Sequence, residues 1–123
     1  MKKLLTVCFL LATALTVNAQ DRTKEDAINI IVKNLKGEEY YYPVVGEMGL
    51  QKIASVEIDE KGLFSVNNKD GKRLFFFGTK VATMEYDNGR LIIWHNYYMM
   101  KLDIKESKAN KIITAFNQLK SLY

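Results

Sequence analysis

The sequence predicts an α+β fold, mainly β: a seven-stranded antiparallel roll with a C-terminal capping helix, preceded by an N-terminal helix. Three observations predict it. Between Tyr40 and Ile104, short apolar or alternating runs are separated by turn sequences, with no helical period among them. From Ala109 to Leu122 the apolar residues take up helical spacing, and from Ala27 to Leu35 they do the same. Helices set at the two ends of an uninterrupted run of strands describe an antiparallel sheet with helices segregated from it, not a βαβ arrangement.

The chain opens Met1-Lys2-Lys3, a positive start, followed by an apolar run from Leu4 to Val17 broken only by three threonines. Val17-Asn18-Ala19 then offers short residues at the positions a signal peptidase reads. A basic start, an apolar run of roughly 14 residues and a small-residue site make a secretory signal. A bilayer core asks for about 20 apolar residues, so the run is short for a membrane span. Residues 1–19 are therefore expected to be a cleaved signal, with the cut near Ala19-Gln20, and 20–123 a single exported domain, periplasmic or extracellular. The one cysteine, Cys8, lies in the apolar run. The mature chain then has no thiol, which excludes disulfides, thiolate metal sites and a cysteine nucleophile from it.

Thr23-Lys24-Glu25-Asp26 reads as a helix start, a threonine cap with acids in the first turn. Ala27, Ile28, Ile31, Val32 and Leu35 form one stripe, and Gly37 is placed to stop the helix, giving a helix over 24–36. Tyr40-Tyr41-Tyr42-Pro43-Val44-Val45 starts the strands, with Pro43 marking an edge or a bend. Lys52 to Ile58 alternates, with Ala54, Val56 and Ile58 on one face. Two meander turns follow, at Asp59-Glu60-Lys61-Gly62 and Lys69-Asp70-Gly71-Lys72, bounding strands at Leu63–Asn67 and Arg73–Phe77. Val81 to Tyr86 is the next strand, and Asp87-Asn88-Gly89-Arg90 is a tight hairpin, because Asn and Gly both tolerate positive φ. Leu91–Trp94 and Tyr97–Ile104 complete the set, all strands falling within 40–104. Over 106–122, Ile112, Ile113, Phe116 and Leu119 line one side of a closing helix that Ser107 or Asp103 would cap.

Removing Lys2 and Lys3 with the signal leaves 16 basic against 14 acidic residues, interspersed along the chain. No basic stripe is present, which argues against nucleic acid as a partner. Catalytic chemistry is equally sparse. His95 is the only histidine, and a zinc site needs three or four ligands. No phosphate-cradling glycine loop or nucleophile elbow appears, and no cofactor is implied. Glu57, Asp59 and Glu60 cluster at a turn, where hydrated acids are the ordinary case, and calcium asks for more oxygen ligands than this run supplies.

Seven consecutive strands followed by one amphipathic C-terminal helix resemble the pleckstrin-homology (PH)-like domains. The likeness runs from about Gln51 to Leu122. Val56-Glu57-Ile58 through Gly62-Leu63-Phe64 is similar to the first hairpin of bacterial PH-like and GRAM-like domains. Phe75-Phe76-Phe77 into Val81-Ala82-Thr83-Met84 is similar to their middle strands, and Ala109 to Leu122 to their closing helix. The resemblance implies two bent sheets packed nearly at right angles with the helix plugging an open corner. The helix at 24–36 departs from the minimal pattern. The family's phosphoinositide ligands imply basic residues in a long first hairpin; here that turn is Asp59-Glu60-Lys61-Gly62, short and acidic, so the lipid function does not carry over.

The expected function is accordingly a non-enzymatic, exported interaction module that contacts a protein or glycan of the bacterial cell envelope. Tyr40-Tyr41-Tyr42 and Trp94 to Met100 carry too many large side chains for one strand face. With Tyr98, Met100 and Leu102 facing the core, Tyr97 and Met99 face outward beside Trp94, and Trp94, Tyr97 and Met99 are the candidate contact residues. Burial of these aromatics beneath the N-terminal helix is the competing expectation. Two other functions are weighed: a small hydrolase using Glu57, Asp59 and His95, and an α+β inhibitor or regulatory domain in which the N-terminal helix joins the sheet face.

Overall fold

The computed structural model describes residues 23–44 and 47–123; the expected signal, 1–19, lies outside them. Helix α1 covers 23–35, and eight strands follow: β1 (Glu39–Val44), β2 (Glu47–Lys52), β3 (Ser55–Ile58), β4 (Leu63–Asn67), β5 (Arg73–Gly78), β6 (Thr83–Asp87), β7 (Arg90–His95) and β8 (Tyr98–Asp103). Helix α2 (Glu106–Lys120) closes the chain. The expected class, α+β and mainly β with a helix at each end, is what is observed. One sheet has the order β2-β1-β8-β7-β6 and the other β3-β4-β5, each pairing antiparallel.

Eight strands replace the expected seven because Glu47–Lys52, where no strand was expected before Lys52, pairs with β1, and Lys52–Ile58 is divided between β2 and β3. Ile53 donates its N–H to Glu38 O (2.9 Å) and accepts from Gly37 N (2.8 Å), whereas Ala54 N donates to Asn67 O (2.9 Å). The chain therefore changes sheets between residues 53 and 54, and two neighbouring peptide groups serve different sheets. The face expected from alternation changes with it: Ile53 and Val56 are buried, while Ala54 and Ile58 are only partly so. The strand expected at Val81 starts at Thr83 instead, since Ala82 N turns back to Gly78 O (2.9 Å) and Val81 projects into solvent.

The turns obey local chemistry. Asn88 and Gly89 both take positive φ (49° and 78°), the pairing a two-residue hairpin of matching twist requires. Gly37 ends α1 at φ 89°. The expected caps of α2 are not used. Lys105 occupies the N-cap in extended backbone without a side-chain cap bond, because Asp103 is still in β8, paired to Arg90 (3.0 Å), and Ser107 is already helical. The expected cap Thr23 is itself helical.

One core joins both sheets and both helices. Tyr40 from the larger sheet meets Phe75 at 4.7 Å between centroids, and Phe75 lies 6.1 Å from Phe77. Phe77 stacks on Phe64 at 4.8 Å and meets Phe116 of α2 edge-on at 5.8 Å. Fully buried Ile112, Phe116 and Leu119 make α2 the stopper of the opening between the sheets; full burial of each such side chain is worth about 1.5–3 kcal/mol. Ala27, Ile31 and Leu35 bring α1 into the same core. Lys24 Nζ sits 4.0 Å from the ring of Tyr123, after α2, and Lys108 near the start of α2 binds Glu38, just after α1, at 2.6 Å. The two helices thus lie side by side and antiparallel.

Candidate functional site

The outer face of β6-β7-β8 is a lattice set by register. Thr83 stands opposite Trp94 and Trp94 opposite Met99; in the next row are Glu85, Ile92 and Lys101; in the third, Asp87, Arg90 and Asp103. The complementary set, Met84, Leu91, Ile93, Met100 and Leu102, turns to the core or packs against it. Trp94 and Met99 are 41% and 44% exposed, and adjacent Tyr97, at the turn, is 100% exposed. Trp94 Nε1 donates diagonally to Glu85 Oε1 at 3.4 Å, which orients the indole across the sheet. Arg90 and Asp103 neutralise each other one row further along. Ile92 is buried although it faces outward, because long side chains of the neighbouring rows shelter it.

The structure therefore sets Trp94 and Met99 side by side, with Tyr97 at the end of the same hairpin. Helix α1 does not cover them, since it docks along α2. It also shows members the sequence reading missed. Of the seven exposed large apolar side chains among the described residues, Phe76, Val81 and Tyr98 join these three at one end of the molecule. His95 connects them: its ring is 5.4 Å from Phe76, it stands opposite Tyr98, and it shares with Val81 the space over Gly78. Tyr98 is exposed despite its inward phase because β8 begins there, beyond the edge of the core. Phe76 was readable from its place between Phe75 and Phe77, since alternation forces one of three consecutive phenylalanines away from its neighbours' side. Of the tyrosine run, Tyr40 is buried; the side chains of Tyr41 and Tyr42 lie outside those described.

Glu57, Asp59 and His95 are not assembled into a unit. Asp59 Oδ1 accepts from Lys61 N and Leu63 N, both at 2.9 Å, and so shapes its own turn. Glu57 is exposed on β3. His95 Nδ1 accepts from Gly78 N at 3.0 Å, tying the end of β5 to the end of β7 across the two sheets. No hydrogen bond or ion pair joins His95 to either acid among the described residues. Nor does any group of three His, Cys, Asp or Glu side chains there stand close enough to hold a metal ion.

Two open grooves lie elsewhere. One of about 870 Å³ runs between α1 and α2 past Asn29, Lys33, Asn110, Thr114 and Gln118. Another, of about 830 Å³, lies where α1 ends, beside Lys36, Lys52 and Lys69. Neither is lined by a member of the aromatic cluster. No helix among the described residues is long and apolar enough to cross a membrane.

Among solved structures, the chain is similar to one of a pleckstrin-homology domain. It is the solution structure of the PH domain of human oxysterol binding protein-related protein 11, at 12% identity and a TM-score of 0.42, covering 68% of this chain and 73% of that one. A likeness of that size carries no argument about ligand or activity. No protein-family model and no curated protein matches the chain.

Proposed function

We propose that this chain is an exported, non-enzymatic interaction module that contacts a protein or glycan of the cell envelope through the surface around Trp94, Tyr97 and Met99. The observation that carries this reading is the gathering of six exposed large apolar side chains at one end of the molecule. Apolar side chains scattered singly over a surface need no explanation, whereas aromatics and methionine gathered about one hairpin, Trp94, Tyr97 and Met99 on one side and Phe76, Val81 and Tyr98 around His95, have the composition of an interaction site. Export rests on the N-terminal pattern alone.

Trp94 is the only tryptophan in the chain and stands inside the cluster, so its fluorescence reports on this surface selectively. A solubilised envelope preparation is expected to change the Trp94 emission of the mature protein saturably. Tyr97→Ala combined with Met99→Ala should weaken that response about tenfold or more. An unchanged titration in the double variant, with its fold intact, removes the site. Export is checked by the N-terminal residue of protein recovered from expressing cells, expected at Gln20.

A further inference from the structure

The glycan arm of this reading can be made specific, and the inference rests on that reading. We infer that the outer face of β6-β7-β8 is a subsite for an uncharged carbohydrate, with one sugar ring stacked on Trp94 and its hydroxyls bound by Glu85 and Lys101. Trp94 supplies a flat apolar ring face on the outer side of the sheet, held in orientation by its bond to Glu85. Glu85 and Lys101 flank Ile92 in the row directly beside Trp94, one on each neighbouring strand. Strands lie about 4.8 Å apart, and alternate residues along a strand about 6.8 Å apart. Both polar groups are therefore within one ring's reach of the indole.

The charges select the class of ligand. A carboxylate on one side and an ammonium on the other leave the platform balanced, so neither a polyanion nor a polycation is favoured over a neutral molecule. Lys101 makes no ion pair among the described residues, and Glu85 makes none beyond its contact with the indole N–H. Each thus keeps hydrogen-bonding capacity, the carboxylate as acceptor and the ammonium as donor, and a sugar hydroxyl can satisfy either. Arg90 and Asp103, one row further, are occupied with each other and mark where the subsite stops. An apolar protein surface seated here would instead cover Glu85 and Lys101 without partners, at a cost in affinity.

The test is a titration of the mature protein, with backbone amide resonances followed, against neutral tetrasaccharides of glucose and of N-acetylglucosamine. Shifts confined to Thr83, Glu85, Trp94, Met99 and Lys101 are expected with at least one sugar. Trp94→Ala should abolish them and Trp94→Phe retain them in weaker form. Glu85→Gln and Lys101→Met should each raise the dissociation constant about fivefold or more. Amide spectra of the free variants establish that each is folded. If neither sugar shifts these amides while the envelope preparation still engages Trp94, the carbohydrate assignment is overturned and the contact surface stands, with a protein as its partner. If neither sugars nor envelope engage Trp94, both are overturned. Shifts that survive Trp94→Ala also overturn the assignment.

Discussion

Gly62 shows how little freedom a single residue has in the β3-β4 turn, where the end of β5 and the residues after α2 close over it. It adopts φ 86°, and a Cβ added to it would stand 3.0 Å from Thr79 Oγ1 and 3.1 Å from a Tyr123 ring carbon. Its carbonyl accepts from both Thr79 N (2.9 Å) and Thr79 Oγ1 (2.5 Å). Gly62→Ala combines a left-handed backbone, about 1–2 kcal/mol for an L-residue, with tight contacts that Thr79 and Tyr123 must relieve by giving way slightly. Its denaturation midpoint should fall by more than that of Gly71→Ala, where φ is also positive but nothing lies within 4 Å. His95 offers a second test at this scale. His95→Leu fills similar space but leaves Gly78 N–H, in a partly buried position, without its acceptor. Loss of about 1–3 kcal/mol is expected in chemical denaturation. A hydrolytic role for His95 would call for an acid bonded to the imidazole; its Nδ1 instead accepts from Gly78 N, and Asp59 Oδ1 is bound within its own turn.

Among the elements, α2 carries an unused opportunity. Its N-cap, Lys105, has the extended backbone of a cap (φ −62°, ψ 143°) but no capping side chain. Lys105→Asp should therefore stabilise the fold by about 0.5–2 kcal/mol, read as a rise in melting temperature, because a carboxylate there can accept from the first free N–H groups. Phe116→Ala should act in the opposite sense. The ring is fully buried against Phe77, and its removal should cost about 3–5 kcal/mol. These elements also mark what was legible in the sequence. The stripe from Ala109 to Leu119 and the Asn88-Gly89 turn are local signals, and both appear as expected. The break at Ile53-Ala54 was not legible, because it follows from which distant peptide groups, Glu38 and Asn67, each residue meets. No pattern within Lys52–Ile58 encodes those partners. The cap of α2 was misjudged for a related reason: Asp103 is held in the sheet by Arg90, thirteen residues earlier.

For the molecule as a whole, the location of the exposed cluster depends on where α1 goes. Helical periodicity said that α1 has one buried face but not what lies against it, so the aromatics could have been its dock. The Glu38–Lys108 pair and the Lys24–Tyr123 contact lay it along α2 instead, and the β7-β8 hairpin is left in solvent. Alternation marked Trp94, Tyr97 and Met99 as outward. Phe76 and Val81 come from another sheet and a loop, and they come near where the His95–Gly78 tie joins the two sheets. Replacing Tyr97 and Met99 by alanine should leave the global unfolding free energy within about 0.5 kcal/mol of the parent, since neither side chain is buried.

The antiparallel helix pair has one more consequence. Because Lys24 touches Tyr123, the start of α1 and the residues after α2 are next-door neighbours, and the described residues, which span 23–123, come close to a closed loop. Joining position 123 to position 23 through a brief glycine-serine bridge, and opening the circle between Asp70 and Gly71 in an exposed turn, should yield a permuted protein with the same near-ultraviolet dichroism as the original. Such a rearranged chain would present the β7-β8 hairpin unchanged while moving its attachment points to another side of the molecule, allowing it to be tethered to a surface in two different orientations.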